Sequence, residues 1–343
     1  MVWGVILFGV GGYRRAETDL KKSADFQEVE SMWSEFGSNS TDAGKLEALK
    51  TRAENFSGKD FEDRVKTVRE KIPGLIEKAY GVNRTELSEL IDWGLIREGM
   101  RVLKISLIGG KLWGIDTNES RLVNVDIKKK SGSVVAGADA VGKPVALATY
   151  PGRVVVFGDK GGVQCDTGNA KCKQVITAEQ MGEGIVDIGM FAGNIYGVAT
   201  DGEIWRYPVT DAGYGTKMKW VGEDQEKAVG AKGMSIDGSI WMVKTLNSKS
   251  EILKYTRGVK DSFSISGLDT ELGQNSVVYT SDEVEKLYVL DPEKERIVIL
   301  DKTGKYESQL KNELLKGATD LVVSEEEVIY VAVGSKIYIS EGH

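Results

Sequence analysis

Residues 111 to 126 read "KLWGIDTNESRLVNVD" and residues 286 to 301 read "KLYVLDPEKERIVILD", the same apolar strand, polar turn and second apolar strand written twice. An internal repeat constrains a fold more than any local propensity, because each copy must be a unit that stacks on its neighbours. The pair that marks the first strand recurs as Leu112-Trp113, Val154-Val155, Ile195-Tyr196, Ile240-Trp241, Leu287-Tyr288 and Ile329-Tyr330, in steps of 42, 41, 45, 47 and 42 residues. A second strand follows each marker, with Leu122, Val163, Ile204, Ile252, Ile297 and Ile337 at the matching place. A period of about 40 to 50 residues is what a four-stranded propeller blade requires. The spacing predicts a mainly β protein, a six-bladed β-propeller.

The repeat segments "RVVVFGD", "NIYGVAT", "SIWMVKT" and "RIVILDK" are rich in Val, Ile, Tyr and Trp. These residues suit a pleated surface, and their near-continuous apolarity suits a sheet packed on both faces. Between them lie "DTNES", "DKGG", "TDGE", "DPEKE" and "VGSK", the Gly, Asp, Asn and Pro signals of tight hairpins. After "KIYIS" the last copy has no room for an outer strand, so the ring is expected to close with a strand from ahead of blade one, read as "GLIRE" (94–98). On these motifs the chain resembles the NHL-type six-bladed propellers. In that family a hydrophobic-Tyr-Val strand ends in Asp and is followed by an Arg-Ile strand. Blades one ("LWGID…RL") and five ("LYVLD…RI") match best, while blades two and four depart at the Asp and Arg positions.

The stretch before the repeats changes to a helical period. Phe26, Val29, Trp33 and Phe36 fall on one helix face, as do Leu46, Leu49, Ala53 and Phe56, then Phe61, Val65, Val68, Ile72 and Ile76. Thr41, Asp42 and Asp60 are candidate N-caps, Pro73-Gly74 is expected to kink or split the third helix, and "TELSELID" reads as a last short helix. The predicted organisation is an apolar segment at 1–12, a helical stalk at 13–91 and the propeller at 92–343. With 14 basic and 17 acidic residues between Arg14 and Asp92, the stalk is not a nucleic-acid arm. The net charge of −7 likewise disfavours nucleic acid as a partner of the propeller.

Residues 2–12 are uncharged and end at Arg14-Arg15. A spanning helix needs about 20 apolar residues, so this stretch reads as the remnant of a membrane span begun upstream, as a packed segment, or as an interfacial anchor. A helical stalk between a span and a propeller resembles a bacterial membrane-protein arrangement, in some cases with a serine/threonine phosphatase domain across the span. The expectation is a membrane-associated protein with an extracytoplasmic propeller. The Arg pair, which tends to stay on the cytoplasmic side, favours the cytoplasmic alternative. Cys165 and Cys172, the two cysteines, flank a turn in blade two and are candidates for a cross-strand disulfide, which would imply an oxidising compartment.

His343 is the one histidine and the last residue, which removes Ser-His-Asp and Cys-His chemistry. Counting back from each marker places Lys104, Asp187, Lys232 and Asp320 at the channel mouth, with Asp187–Lys232 and Asp320–Lys104 expected as neighbours. They read as interblade ion pairs, or as a polar mouth for a small ligand or peptide end. Asp116, Asp201 and Asp291 read as turn formers before calcium ligands. No cofactor and no metal is expected. The function expected is a non-enzymatic binding or scaffolding head for a protein, peptide or small molecule. The alternative is a metal-dependent lactonase of the kind found among six-bladed relatives, using carboxylates and Asn in the channel.

Overall fold

The computed structural model describes residues 21–37, 40–56, 62–247 and 249–340, and the chain divides into two units between Asn83 and Arg84. The apolar segment 1–12, Arg14-Arg15, Asp60 and His343 therefore lie outside the described residues.

In the first unit, residues 21–32, Ala43–Asn55 and Glu62–Ala79 are helical. Asp42 caps the second helix, its Oδ1 accepting from Lys45 N at 3.2 Å, which satisfies a donor the helix cannot. The faces predicted by spacing meet: Phe26, Val29, Leu46, Leu49, Ala53, Phe56, Val65, Val68, Ile72 and Ile76 form one buried cluster. The third helix is not split at Pro73-Gly74. A proline removes one ladder bond, and here Ile72 and Ile76 are held in the core on either side of it.

The second unit is a ring of antiparallel sheets, one per repeat, five of them four-stranded. Blade one is Val102–Ile108, Lys111–Asp116, Arg121–Asp126 and Ser131–Ala136; blade two is Pro144–Tyr150, Arg153–Gly158, Gly161–Asp166 and Cys172–Thr177. Blade three is Ile185–Phe191, Asn194–Ala199, Ile204–Tyr207 and Met218–Lys219; blade four is Ala231–Ile236, Ser239–Leu246, Lys249–Thr256 and Val259–Lys260. Blade five contains Val277–Tyr279, Lys286–Asp291, Arg296–Asp301 and Tyr306–Lys311. Blade six supplies Ala318–Val323, Ile329–Val333 and Lys336–Ser340 itself. The marker pairs are the central strands, and Trp113, Trp241, Tyr288 and Tyr330 are buried between blades.

The ring closes with an N-terminal strand, but not the expected one. Ser88–Asp92 pairs antiparallel with Lys336–Ser340, with Ser88 opposite Ile339 and Asp92 opposite Lys336. "GLIRE" is instead a turn: Trp93–Leu95 is a single 3₁₀ turn whose cap, Asp92, accepts from Gly94 N at 2.8 Å. "TELSELID" is accordingly strand rather than helix, and the sheet unit begins before residue 92. Trp93, fully buried, follows the closing strand and lies beside two glycines of blade one. A Cβ on Gly114 would come within 3.2 Å of the Trp93 ring, and one on Gly132 within 3.0 Å of its Nε1. Closure is thus a side chain seated where blade one carries none.

Asp–Arg pairs account for the Asp…Arg motif shared by blades one and five, fully buried in blade five and partly exposed in blade one. Arg296, 1% exposed, donates to Asp291 Oδ2 at 3.0 Å and to Gln309 and Asp269; Arg121 lies 3.6 Å from Asp116 in blade one. Asp116 also accepts from Asn118 N at 3.1 Å, and Asp201 accepts from Glu203 N at 3.0 Å, so both serve as turn formers.

Candidate functional site: the central channel

Five of the six inner strands start with the same kind of irregularity, blade five being the exception. The pairing register slips between Val102 and Lys104, Pro144 and Ala146, Ile185 and Asp187, Lys232 and Ser235, and Ala318 and Asp320. A bulge adds one residue to one strand, bends it and re-aims the next side chain. The residue skipped is turned outward, which leaves Leu103 42% and Val145 41% exposed. The residue after it enters the channel.

Pairing with the marker strands fixes these channel positions. Ser106, Gly189 and Val322 lie opposite Trp113, Tyr196 and Tyr330, so Lys104, Asp187 and Asp320 occupy equivalent places two residues earlier. The same count gives Ala146, Gly233 and Val277 in blades two, four and five. Lys232 is one residue too early. The blade-four hairpin from Ile236 to Ile240 is one residue shorter than that from Leu107 to Leu112, so counting back from Trp241 overshoots. Lys232 Nζ instead donates to Asn275 Oδ1 at 3.0 Å on an exposed edge.

The three ionisable channel residues form one group, and the pairing differs from the sequence expectation. Lys104 Nζ donates to Asp187 Oδ2 at 2.7 Å, reaching from blade one to blade three; no Asp187–Lys232 pair forms. Asp187 Oδ2 also accepts from Met234 N at 2.8 Å, and its Oδ1 from Ile188 N at 2.9 Å. Asp320 Oδ2 accepts from Ile105 N at 2.9 Å, tying blade six to blade one. The carboxylates are therefore cross-blade staples as well as counter-charges. Burial alone would push Lys104 down, but Asp187 and Asp320 outweigh it and hold its ammonium above the ordinary lysine value. Burial pushes Asp320 up to about 6, opposed by Lys104 and the Ile105 N–H and reinforced by Asp187.

The channel cavity measures about 420 Å³ and is lined by inner strands of all six blades. Further along it, Ser106 and Thr149 hydroxyls meet at 2.7 Å, and Ser235 Oγ donates to Thr280 O at 2.6 Å. Could this donor set hold a calcium ion? Calcium asks for six to eight oxygen ligands with net negative charge. Here Lys104 already engages one of the two buried carboxylates and carries the charge a cation would bring, while backbone N–H groups take up oxygens on both. Among the described residues, no cluster of three or more His, Cys, Asp or Glu is arranged to hold a metal. The residues do not fit a resident metal.

Away from the channel, Cys165 and Cys172 sit directly opposite in the outer hairpin of blade two and are joined as a disulfide, with Cα atoms 4.0 Å apart. No helix among the described residues is long and apolar enough to cross a membrane.

No protein-family profile matches the chain, and no curated protein matches it in sequence. Solved structures do match in shape. A calcium-binding regucalcin from Agrobacterium tumefaciens superposes with a TM-score of 0.54 at 11% identity, covering 77% of this chain and 97% of that one. A gluconolactonase from Xanthomonas campestris gives 0.56 at 11% identity, covering 77% and 92%. At such identity the likeness is one of fold: the chain carries a six-bladed β-propeller that follows a small helical region in sequence.

Proposed function

We propose that the propeller is a binding head and not an enzyme, taking a protein, peptide or small-molecule ligand at the face where the inner strands begin. The observation that carries this reading is Lys104. An ammonium bonded to Asp187 and facing Asp320 supplies the positive charge a metal would bring, and the equivalent positions of the other three blades are Ala146, Gly233 and Val277. That face also exposes apolar side chains: the bulged Leu103 and Val145, and Leu95, at 86%, in the turn after the closing strand. Apolar residues gathered on one face of a propeller suit a protein or peptide ligand. The second reading, a metal-dependent lactonase, draws on the two buried channel carboxylates and on the fold shared with a gluconolactonase.

The helical region serves as a stalk, with the protein tethered to a membrane and the propeller extracytoplasmic. The disulfide supports an oxidising compartment. The test is turnover of lactones and carboxylic esters by the full chain with calcium, zinc or manganese. The expected result is hydrolysis no faster than the buffer. Metal-dependent turnover abolished by Asp187→Ala would establish the lactonase instead.

A further inference from the structure

Blade four lacks most of its outer strand. Its third strand, Lys249–Thr256, is eight residues long, but the fourth, Val259–Lys260, covers only Tyr255 and Thr256. Blades one, two, five and six have outer strands of five or six residues, and in blade three the third strand is itself only Ile204–Tyr207. After Lys260 the chain leaves the sheet and crosses to blade five, where Ser266 bridges Lys305.

In an antiparallel ladder both polar groups of a residue point to one side, and the side alternates along the strand. Three contacts fix that parity. Thr256 pairs with Val259, Lys254 O accepts from Asp261 N at 2.9 Å, and Ser250 N donates to Leu272 O at 3.3 Å. The outward set is therefore Ser250, Ile252 and Lys254. Ser250 C=O, both groups of Ile252 and Lys254 N–H have no backbone partner among the described residues. They border a cavity of about 410 Å³ lined by Ile252, Leu253, Phe263, Ile265, Leu268 and Leu272. Phe263 is braced edge-on against the buried Trp241, with ring centres 5.1 Å apart.

We propose that this slot receives an extended, uncharged segment of a partner polypeptide, which completes blade four as its outer strand. The unpaired ladder groups ask for a backbone, and only an extended one has the repeat to meet them. The apolar lining suits Val-like side chains on alternate residues. Charge selects further: Lys249 pairs with Glu271 at 2.5 Å, Lys244 with Glu251 at 3.7 Å and Lys254 with Asp261 at 4.0 Å. The rim is self-neutralised and offers a charged segment no counter-ion. This site is independent of the channel.

The probe is a fluorescein-labelled peptide, acetyl-Thr-Val-Thr-Val-Thr-Val-Thr-amide, titrated with the full chain and followed by anisotropy. The expected result is saturable binding, weakened at least about tenfold when every peptide nitrogen is methylated, because the ladder bonds are lost while the apolar side chains remain. Amide exchange at Ile252 and Lys254 slows when peptide is bound. Lys254→Pro, which removes an N–H that has no partner, is expected to weaken binding by a similar factor with the melting midpoint held within a few degrees. Should that variant fold poorly, Leu268→Glu on the opposite wall serves the same purpose. Equal binding of the methylated peptide, unchanged exchange at Ile252, or no binding at all overturns the proposal. So does a dimer of the full chain that Lys254→Pro dissociates, since the edge would then belong to a second copy.

Discussion

Starting the chain at Gly94 instead of Arg84 removes the strand Ser88–Asp92 and the Trp93 side chain while leaving every other strand of the ring in place. Trp93 is fully buried and Leu90 is 7% exposed, both in the cluster that joins blades six and one. Truncating a buried tryptophan costs about 3–5 kcal/mol and a buried leucine about 2–5, so the loss is about 5–10 kcal/mol before any ladder bond is counted. A domain is stable by only about 5–15 kcal/mol, and each kcal/mol moves the midpoint of a domain this size by about 2–4 °C. The chain from Gly94 should therefore melt at least ~10 °C below the chain from Arg84 or fail to stay monomeric, because the edge of Lys336–Ser340 is bared. Circular dichroism melts with size-exclusion chromatography would show it. Equal midpoints for the two truncations would refute the closure mechanism.

Arg296→Met should cost about 3–5 kcal/mol in urea denaturation, since it leaves Asp291, which is fully buried, without its cation. Asp320 should make the protein less stable as pH rises from about 4 to about 6, by about 2–3 kcal/mol. Its raised value means that the native state keeps a proton the unfolded chain has released, and Asp320→Asn should remove that part of the pH dependence. Protein taken from its native host without reductant should show no titratable thiol when denatured; two thiols would remove the support for an oxidising compartment.

The repeat was legible because every blade presents an apolar-aromatic central strand that must be buried, and burial leaves little choice of residue. The closing strand was harder to place for a physical reason. Its register slips between Glu89 and Ile91, so Leu90 and Ile91 both turn partly inward and the alternation of a strand is broken. Leu87, Leu90 and Ile91 then imitate a helical period. Closure itself could be expected from the short last repeat, but not the segment that provides it.

At the channel, counting from the markers found Lys104, Asp187 and Asp320 and missed Gly233 by one residue. Hairpin length decides that count, and a one-residue change is silent in the pattern of apolar strands. The partner of Asp187 was also out of reach of a nearest-blade argument. A lysine side chain spans the narrow end of the ring, so Lys104 passes blade two, where Ala146 offers no obstacle, and meets Asp187 in blade three. The truncated edge of blade four had one visible sign, the long irregular stretch "DSFSISGLDTELGQNS" standing where other copies write a strand.

The most direct test of a channel held by its own lysine is calorimetric titration of calcium into the full chain and into Lys104→Ala. The wild type should give no saturable heat up to about 1 mM calcium, a range in which even weak extracellular calcium modules bind. Lys104→Ala should be less stable, with Asp187 and Asp320 deprived of their counter-charge, and calcium should restore part of that loss. Saturable calcium binding by the wild type that Asp187→Asn abolishes would contradict the account.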